Sequence, residues 1–214
     1  MTMTAEKPIV THKAPPEAWT GVAFAVLFIA SVVVSNPPAD NASNATWTAN
    51  YSGTSEQIRH LATGVLLVFA GLCFAAFITA LWRRIRAVSP SASPLPLVSV
   101  AASAACIATG GVLQAFVSGS ELIGKYPLPG PDILRLGNDL GFALVAVAGM
   151  MAASVTVACI TVQSNRAGLI GHKMRIFGLV VAALLVLSVM FIPILVLLIW
   201  SVITAVRWIR THEN

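Results

Sequence analysis

The chain has 214 residues, 57% of them hydrophobic and 10% charged, with 13 Lys and Arg against 8 Asp and Glu. Soluble domains carry about 25% charged residues, so this composition excludes an ordinary soluble globule. The formal net charge of +5 does not gather into a patch; the cations stand at the ends of apolar stretches, which excludes nucleic acid as a partner and points to the lipid bilayer.

Residues 1–18 read as a disordered tail in which Glu6 and Glu17 offset Lys7 and Lys13. An apolar span follows over 19–35. It is long for a signal-peptide core and has no basic run before it. No small-x-small cleavage site precedes Asn36-Pro37-Pro38, so the span reads as a retained anchor. The loop 36–59 holds Asn-x-Ser/Thr sequons at Asn41, Asn44 and Asn50, which arise easily in an Ala/Asn/Ser/Thr-rich segment. Trp47 and Tyr51, four residues apart, are expected on the headgroup layer as aromatic anchors. His60 stands beside Arg59 at the entrance of the second span, four residues after Glu56. With no second nearby histidine and no H-E-x-x-H run, it reads as an interfacial histidine and not as a metal ligand.

The second span, 61–81, ends in Trp82-Arg83-Arg84-Ile85-Arg86, a dense cationic stop. The third runs over 95–116 and carries Gln114 near its end. The fourth, 133–162, is followed by a loop with Arg166, His172, Lys173 and Arg175 and no acid. Loops 36–59 and 117–139 mix both signs. Because Lys and Arg are retained in short cytoplasmic loops, the N-terminus and the second and fourth loops are expected inside, the first and third outside. Spans two to four are rich in Gly and Ala, with Gly137/Gly141 and Gly149/Ala153 at the four-residue spacing that lets helices approach closely in lipid. These three spans are expected to form the bundle core.

The last apolar run, from Lys173 to Arg207, would be about 50 Å long as one helix, more than one crossing needs. A single kinked helix would carry Arg207 and Arg210 outside. Two short helices, 175–191 and 193–209, turning near Phe191-Ile192-Pro193, return them to the cytoplasm. The expected fold is therefore an all-α polytopic transmembrane bundle of six segments (five in the alternative), with a short tail at 211–214. The Leu/Val/Ile-rich C-terminal helices are expected to face lipid or a partner's helix.

Ionisable and amide groups inside a bilayer are costly and point to function by default. The best cluster opens the fourth span. Asp132 follows two prolines and suits a helix N-cap. Asp132, Arg135 and Asp139 share one face at spacings of three and four, so Arg135 can bridge both carboxylates. In the functional reading, Arg135, Asn138, Asp139 and Gln114, the last hydrogen-bonded across the interface, line a ligand pocket at the outer end of spans three and four. In the structural reading the same residues are a self-neutralised first turn.

Cys73, Cys106 and Cys159 are isolated inside spans, so no disulfide framework and no thiolate metal site is expected. No cofactor motif, nucleophile elbow or paired buried carboxylates appear, which leaves an enzyme without residues to perform its chemistry. Trp47-Thr48-Ala49-Asn50-Tyr51, Leu81-Trp82-Arg83-Arg84-Ile85-Arg86, Leu136-Gly137-Asn138-Asp139-Leu140-Gly141 and the ending Phe191-Ile192-Pro193 … Leu198-Ile199-Trp200 resemble small multi-pass membrane proteins of unknown function from high-GC Gram-positive bacteria. That resemblance implies a bacterial plasma membrane location and no activity. The expected function is a non-enzymatic accessory or scaffold subunit that meets another membrane protein through its C-terminal helices. The alternative is a small-molecule binder or transporter using the outer pocket.

Overall fold

The computed structural model describes residues 15–39, 41–187 and 192–213, and every regular element among them is helical. Helix α1, Pro16–Val34, opens on a proline whose fixed φ suits the first helical position, and it stops before Asn36-Pro37, where a following proline disfavours helical backbone. It takes in the last residues of what was expected to be tail. A helix not expected from the sequence, α2, Asn44–Ser52, fills the first loop. Ser43 caps it by accepting a hydrogen bond from the Thr46 amide at 3.2 Å.

Helix α3, Thr54–Val88, has 35 residues and is about 52 Å long, overrunning the expected second span at both ends. Ser89 ends it, ahead of Pro90. Helix α4, Leu95–Leu122, also outlasts its expected span. The fourth span is one continuous rod of three parts: α5, Pro131–Ala143, a π-helical turn, Leu144–Gly149, and α6, Met150–Arg166. Gly130, not Asp132, occupies the N-cap of α5, because Pro131 takes the first helical position that needs no N–H donor. Asp132 keeps the favourable place of an acid in the first turn.

The C-terminal run is divided, into α7, His172–Leu185, and α8, Ile192–Glu213, so helix continues through most of the expected 211–214 tail. The expected turn at Phe191 lies outside the described residues. Helix α7 has 14 residues and is about 21 Å long, less than the ~30 Å hydrocarbon thickness. The rods Pro16–Val34, Thr54–Val88, Leu95–Leu122, Pro131–Arg166 and Pro193–Thr211 are long and apolar enough to cross a membrane.

From α1 to the fourth rod each rod runs antiparallel to the one before it, and the α3–α4 and α4–α5 seams rest on small residues. A Cβ on Gly64 would lie 2.6 Å from the Gly111 carbonyl oxygen, and one on Gly110 would lie 2.6 Å from the Gly141 carbonyl oxygen, so the backbones of α3, α4 and α5 touch. The expectation for the small residues holds at Gly141 and fails at its partner Gly137, which faces open space. Helix α7 packs along α6, with Ser154 Oγ donating to the Ala182 carbonyl at 2.6 Å and Gly178 against Thr161.

The core also reaches beyond spans two to four. Phe24 of α1 packs on Phe28 of the same helix and on Phe74 of α3, and Phe77 meets Trp200 of α8 edge to face. Ile194, Leu197, Leu198, Trp200, Ser201 and Ala205 are buried, so α8 presents only one side, including Ile199 and Ile203, outward. Helix α8 runs back alongside α1 and brings Trp208 and Thr211 to Arg84. Among the described residues, one end of the bundle thereby gathers Arg83, Arg84, Arg86, Arg166, Lys173, Arg175, Arg207 and Arg210, against Glu17. The opposite end carries the α2 cap.

Candidate functional site

Two features at the capped end concern the residues nominated from the sequence. The first is the cap itself. Trp47 and Tyr51, four apart on α2, point the same way into a small cluster with Val117 and Leu134. They are 1% and 2% exposed, which corrects the expectation of headgroup anchors: α2 turns its aromatic face onto the ends of α3, α4 and α5. His60 is buried as well, stacked on Tyr51 with ring centroids 4.2 Å apart. Its Nε2 lies 2.9 Å from Asn50 Oδ1 and 3.2 Å from the Asn50 carbonyl oxygen. Gln57 Nε2 donates to the Tyr51 carbonyl at 3.0 Å and also to Glu121 of α4. Asn50 Nδ2 in turn donates to the Asn36 carbonyl, which ties the cap to the end of α1.

Arg135 belongs to this cap and not to a pocket wall. Its guanidinium donates to Asp132 at 3.3 Å and to the Ala42 carbonyl at 2.9 Å, and it lies over the Trp47 ring at 5.7 Å. The expected bridge to both carboxylates is made to Asp132 alone, because the other arm of the fork is turned toward α2. Asp139 is exposed and receives a long hydrogen bond from Asn138 at 3.4 Å. Its charge still reaches Tyr51: burial pushes the Tyr51 hydroxyl up to about 12, and the nearby Asp139 carboxylate adds to the shift.

The second feature is a lateral cleft of about 240 Å³ between α1 and the fourth rod. Gln114 enters it from α4, beside Ser31, Thr63, Leu67, Val145 and Ile194. The expected Gln114 bond to Asn138 or Asp139 is absent; Gln114 lies one turn lower, against Gly141. Ser31 Oγ donates to the Phe28 carbonyl at 2.7 Å and Thr63 Oγ1 to the Arg59 carbonyl at 3.0 Å. Both hydroxyls therefore offer only lone pairs to the cleft, while the Gln114 amide has no hydrogen bond to another described residue and offers donor and acceptor together. Val145 of the cleft wall belongs to the π turn, the kind of helix irregularity that recurs at functional sites. Ser103 Oγ steadies that turn by donating to the Gly149 carbonyl at 2.8 Å.

Of the four nominated residues, then, Gln114 lines a cavity, Arg135 holds the cap, Asn138 is half-buried beside it and Asp139 is exposed. Of the residues that knit the cap, Asn50 reads in the sequence only as a sequon, and Gln57 and Glu121 carry no motif. The signal that could have found α2 was Ser43 three residues before Thr46, followed by aromatic residues at helical spacing. Among the described residues no group of three or more His, Cys, Asp or Glu is placed to hold a metal ion. No protein-family model, curated protein or solved structure matches the chain.

Proposed function

We propose that this protein is a non-enzymatic accessory subunit of a bacterial plasma membrane complex, crossing the membrane six times with both ends cytoplasmic. The observation that carries the accessory reading is an apolar groove of about 460 Å³ along the α3–α4 seam. Its floor is small (Gly64, Ala115, Gly119) and its walls are the outward-facing Phe69 and Phe116, 54% and 65% exposed. In lipid, helices associate through close van der Waals fit, and a small-residue floor between aromatic walls accepts a large side chain from a partner's helix. The outward side of α8, at Ile199 and Ile203, supplies a further contact face. A photo-activatable benzophenone at position 116 should give one discrete protein adduct in native membranes, absent with the same group at Val33 on α1. Adducts to lipid alone at both positions would refute the accessory role.

The return of Arg207 and Arg210 to the end that holds Arg83, Arg84 and Arg86 supports six crossings and a cytoplasmic N-terminus, since it places the cations on one side. In His212→Cys, the thiol should stay unlabelled by an impermeant maleimide added to intact spheroplasts and react after lysis. Labelling in intact cells would restore the five-segment alternative.

The cleft at Gln114 favours a second reading, binding of a small lipid-soluble molecule. Mostly apolar walls with one free amide are the usual makeup of a ligand site, although about 240 Å³ is small for one. Such a ligand is neutral and carries a single hydrogen-bonding group. Gln114→Leu should abolish its retention during purification, whereas Asp139→Asn should leave it intact.

A further inference from the structure

The basic end holds a cavity unrelated to either feature above. It measures about 420 Å³, within the usual range for ligand sites, and lies between the last turn of α3, the 89–94 turn and the end of α6. Ile85 and Val162 form its apolar floor; Ser89, Ser91, Gln163 and Arg166 are its polar wall. All four of these polar side chains are unspent. Gln163 Oε1 is buried with no hydrogen-bond donor against it, an unusual state for a buried amide oxygen. Arg166 is exposed and, among the described residues, forms no ion pair. Ser89 and Ser91 direct no side-chain hydrogen bond to other described residues, although the neighbouring Ser93 Oγ is held by the Leu95 amide at 3.2 Å. The surrounding field is positive, since Arg83 and Arg86 end the same α3 helix and no carboxylate lines the cavity.

These groups ask for two things of one ligand: oxygens carrying negative charge for Arg166 and the serines, and an N–H or O–H donor for Gln163. We infer that this cavity binds a phosphate ester bearing a neighbouring hydroxyl or amine. The phosphate oxygens meet the Arg166 guanidinium, whose fork suits them, and the Ser89 and Ser91 hydroxyls. The hydroxyl or amine donates to Gln163 Oε1, and the carbon skeleton rests on Ile85 and Val162. A phospholipid headgroup and a water-soluble phosphate ester share this chemistry.

The test uses the full chain in nanodiscs, with binding read by native mass spectrometry for lipids and by titration calorimetry for soluble ligands. Phosphatidylglycerol and phosphatidylethanolamine have the donor; phosphatidylcholine has the phosphate but no N–H or O–H. The first two should bind about tenfold more tightly than phosphatidylcholine, the discrimination set by one buried acceptor left unpaired. Gln163→Leu should erase that preference. Arg166→Gln should weaken all three lipids about tenfold, while the exposed neighbour Arg83→Gln should not, both variants keeping the helical circular dichroism of the parent. Glycerol phosphate binding assigns a soluble ligand, and lipid binding without it assigns a headgroup. Equal binding of phosphatidylglycerol and phosphatidylcholine, an unchanged preference in Gln163→Leu, or no binding of any probe overturns the inference.

Discussion

Arg135 was nominated as a pocket residue and is found holding down α2, and replacing it by methionine separates the two roles. Methionine keeps much of the aliphatic packing and removes the guanidinium. The hydrogen bond to the Ala42 carbonyl, at 2.9 Å and charge-assisted, is worth about 1.5–3 kcal/mol. The contact over the Trp47 ring adds about 0.5–1 kcal/mol. The Asp132 pair adds little, because that carboxylate is 90% exposed and solvent screens it. The cap should therefore lose about 2–4 kcal/mol, which is roughly a 30- to 1000-fold change in its opening equilibrium. Hydrogen exchange read on the amides of Asn44–Ser52 should accelerate by that factor, while the buried middle of α3 stays protected. Arg135→Lys should recover only part of the loss, since an ammonium cannot serve two acceptors and a ring in the same geometry. Unchanged exchange in α2 would refute the reasoning, as would equal acceleration in α3. A ligand retained by the wild type and lost in Arg135→Met without any change in α2 would return Arg135 to the pocket.

Gly64→Ala should lower thermal stability in detergent by about 1–3 kcal/mol, because the new methyl meets the Gly111 carbonyl and the Ala115 side chain. Gly137→Ala, in open space on a helix, should instead be neutral or stabilising by up to about 1 kcal/mol. Ser103→Ala should cost about 1 kcal/mol and loosen the π turn, seen as faster exchange of the Leu144–Gly149 amides. Tyr51 gives a pH dependence of definite sign. Its folded pKa, about 12, lies above the ordinary 10.0, so the stability it confers is complete below pH 10 and is lost as pH rises toward 12. A melting-temperature series from pH 9 to above 11 should show this decline. Tyr51→Phe should remove it, and Asp139→Asn should make it smaller, because the folded pKa falls toward 10.0 while the onset stays where it was.

The spans were legible because a bilayer sorts residues one at a time. Apolar length and cationic ends place the rods without reference to any partner, and all of the long apolar helices coincide with stretches read from the sequence. Glycine spacing was legible in part. Gly141 meets Gly110 while Gly137, four residues earlier, meets nothing, since the spacing marks a helix face and not what lies opposite. The cap was hidden for a related reason. Trp47 and Tyr51 carry the same amphipathic signature whether they rest on headgroups or under a lid, and only the α3, α4 and α5 ends beneath them decide which.

The sequence by itself determined the class, the position of each long helix and the charge difference between the two ends. These are properties of single residues measured against a layered solvent. The tertiary structure alone decided which polar groups meet. Gln57 finds Glu121 across 64 positions, Arg135 finds Ala42 across 93, and Ser201 finds Gly21 across 180. Such pairings depend on how each helix is rotated about its axis and how far it slides along its neighbour. A helix that is apolar on every side has no hydrophobic stripe to record either quantity, so rotation and register are set by close packing at the glycine seams and along the Phe24, Phe74, Phe77 and Trp200 core.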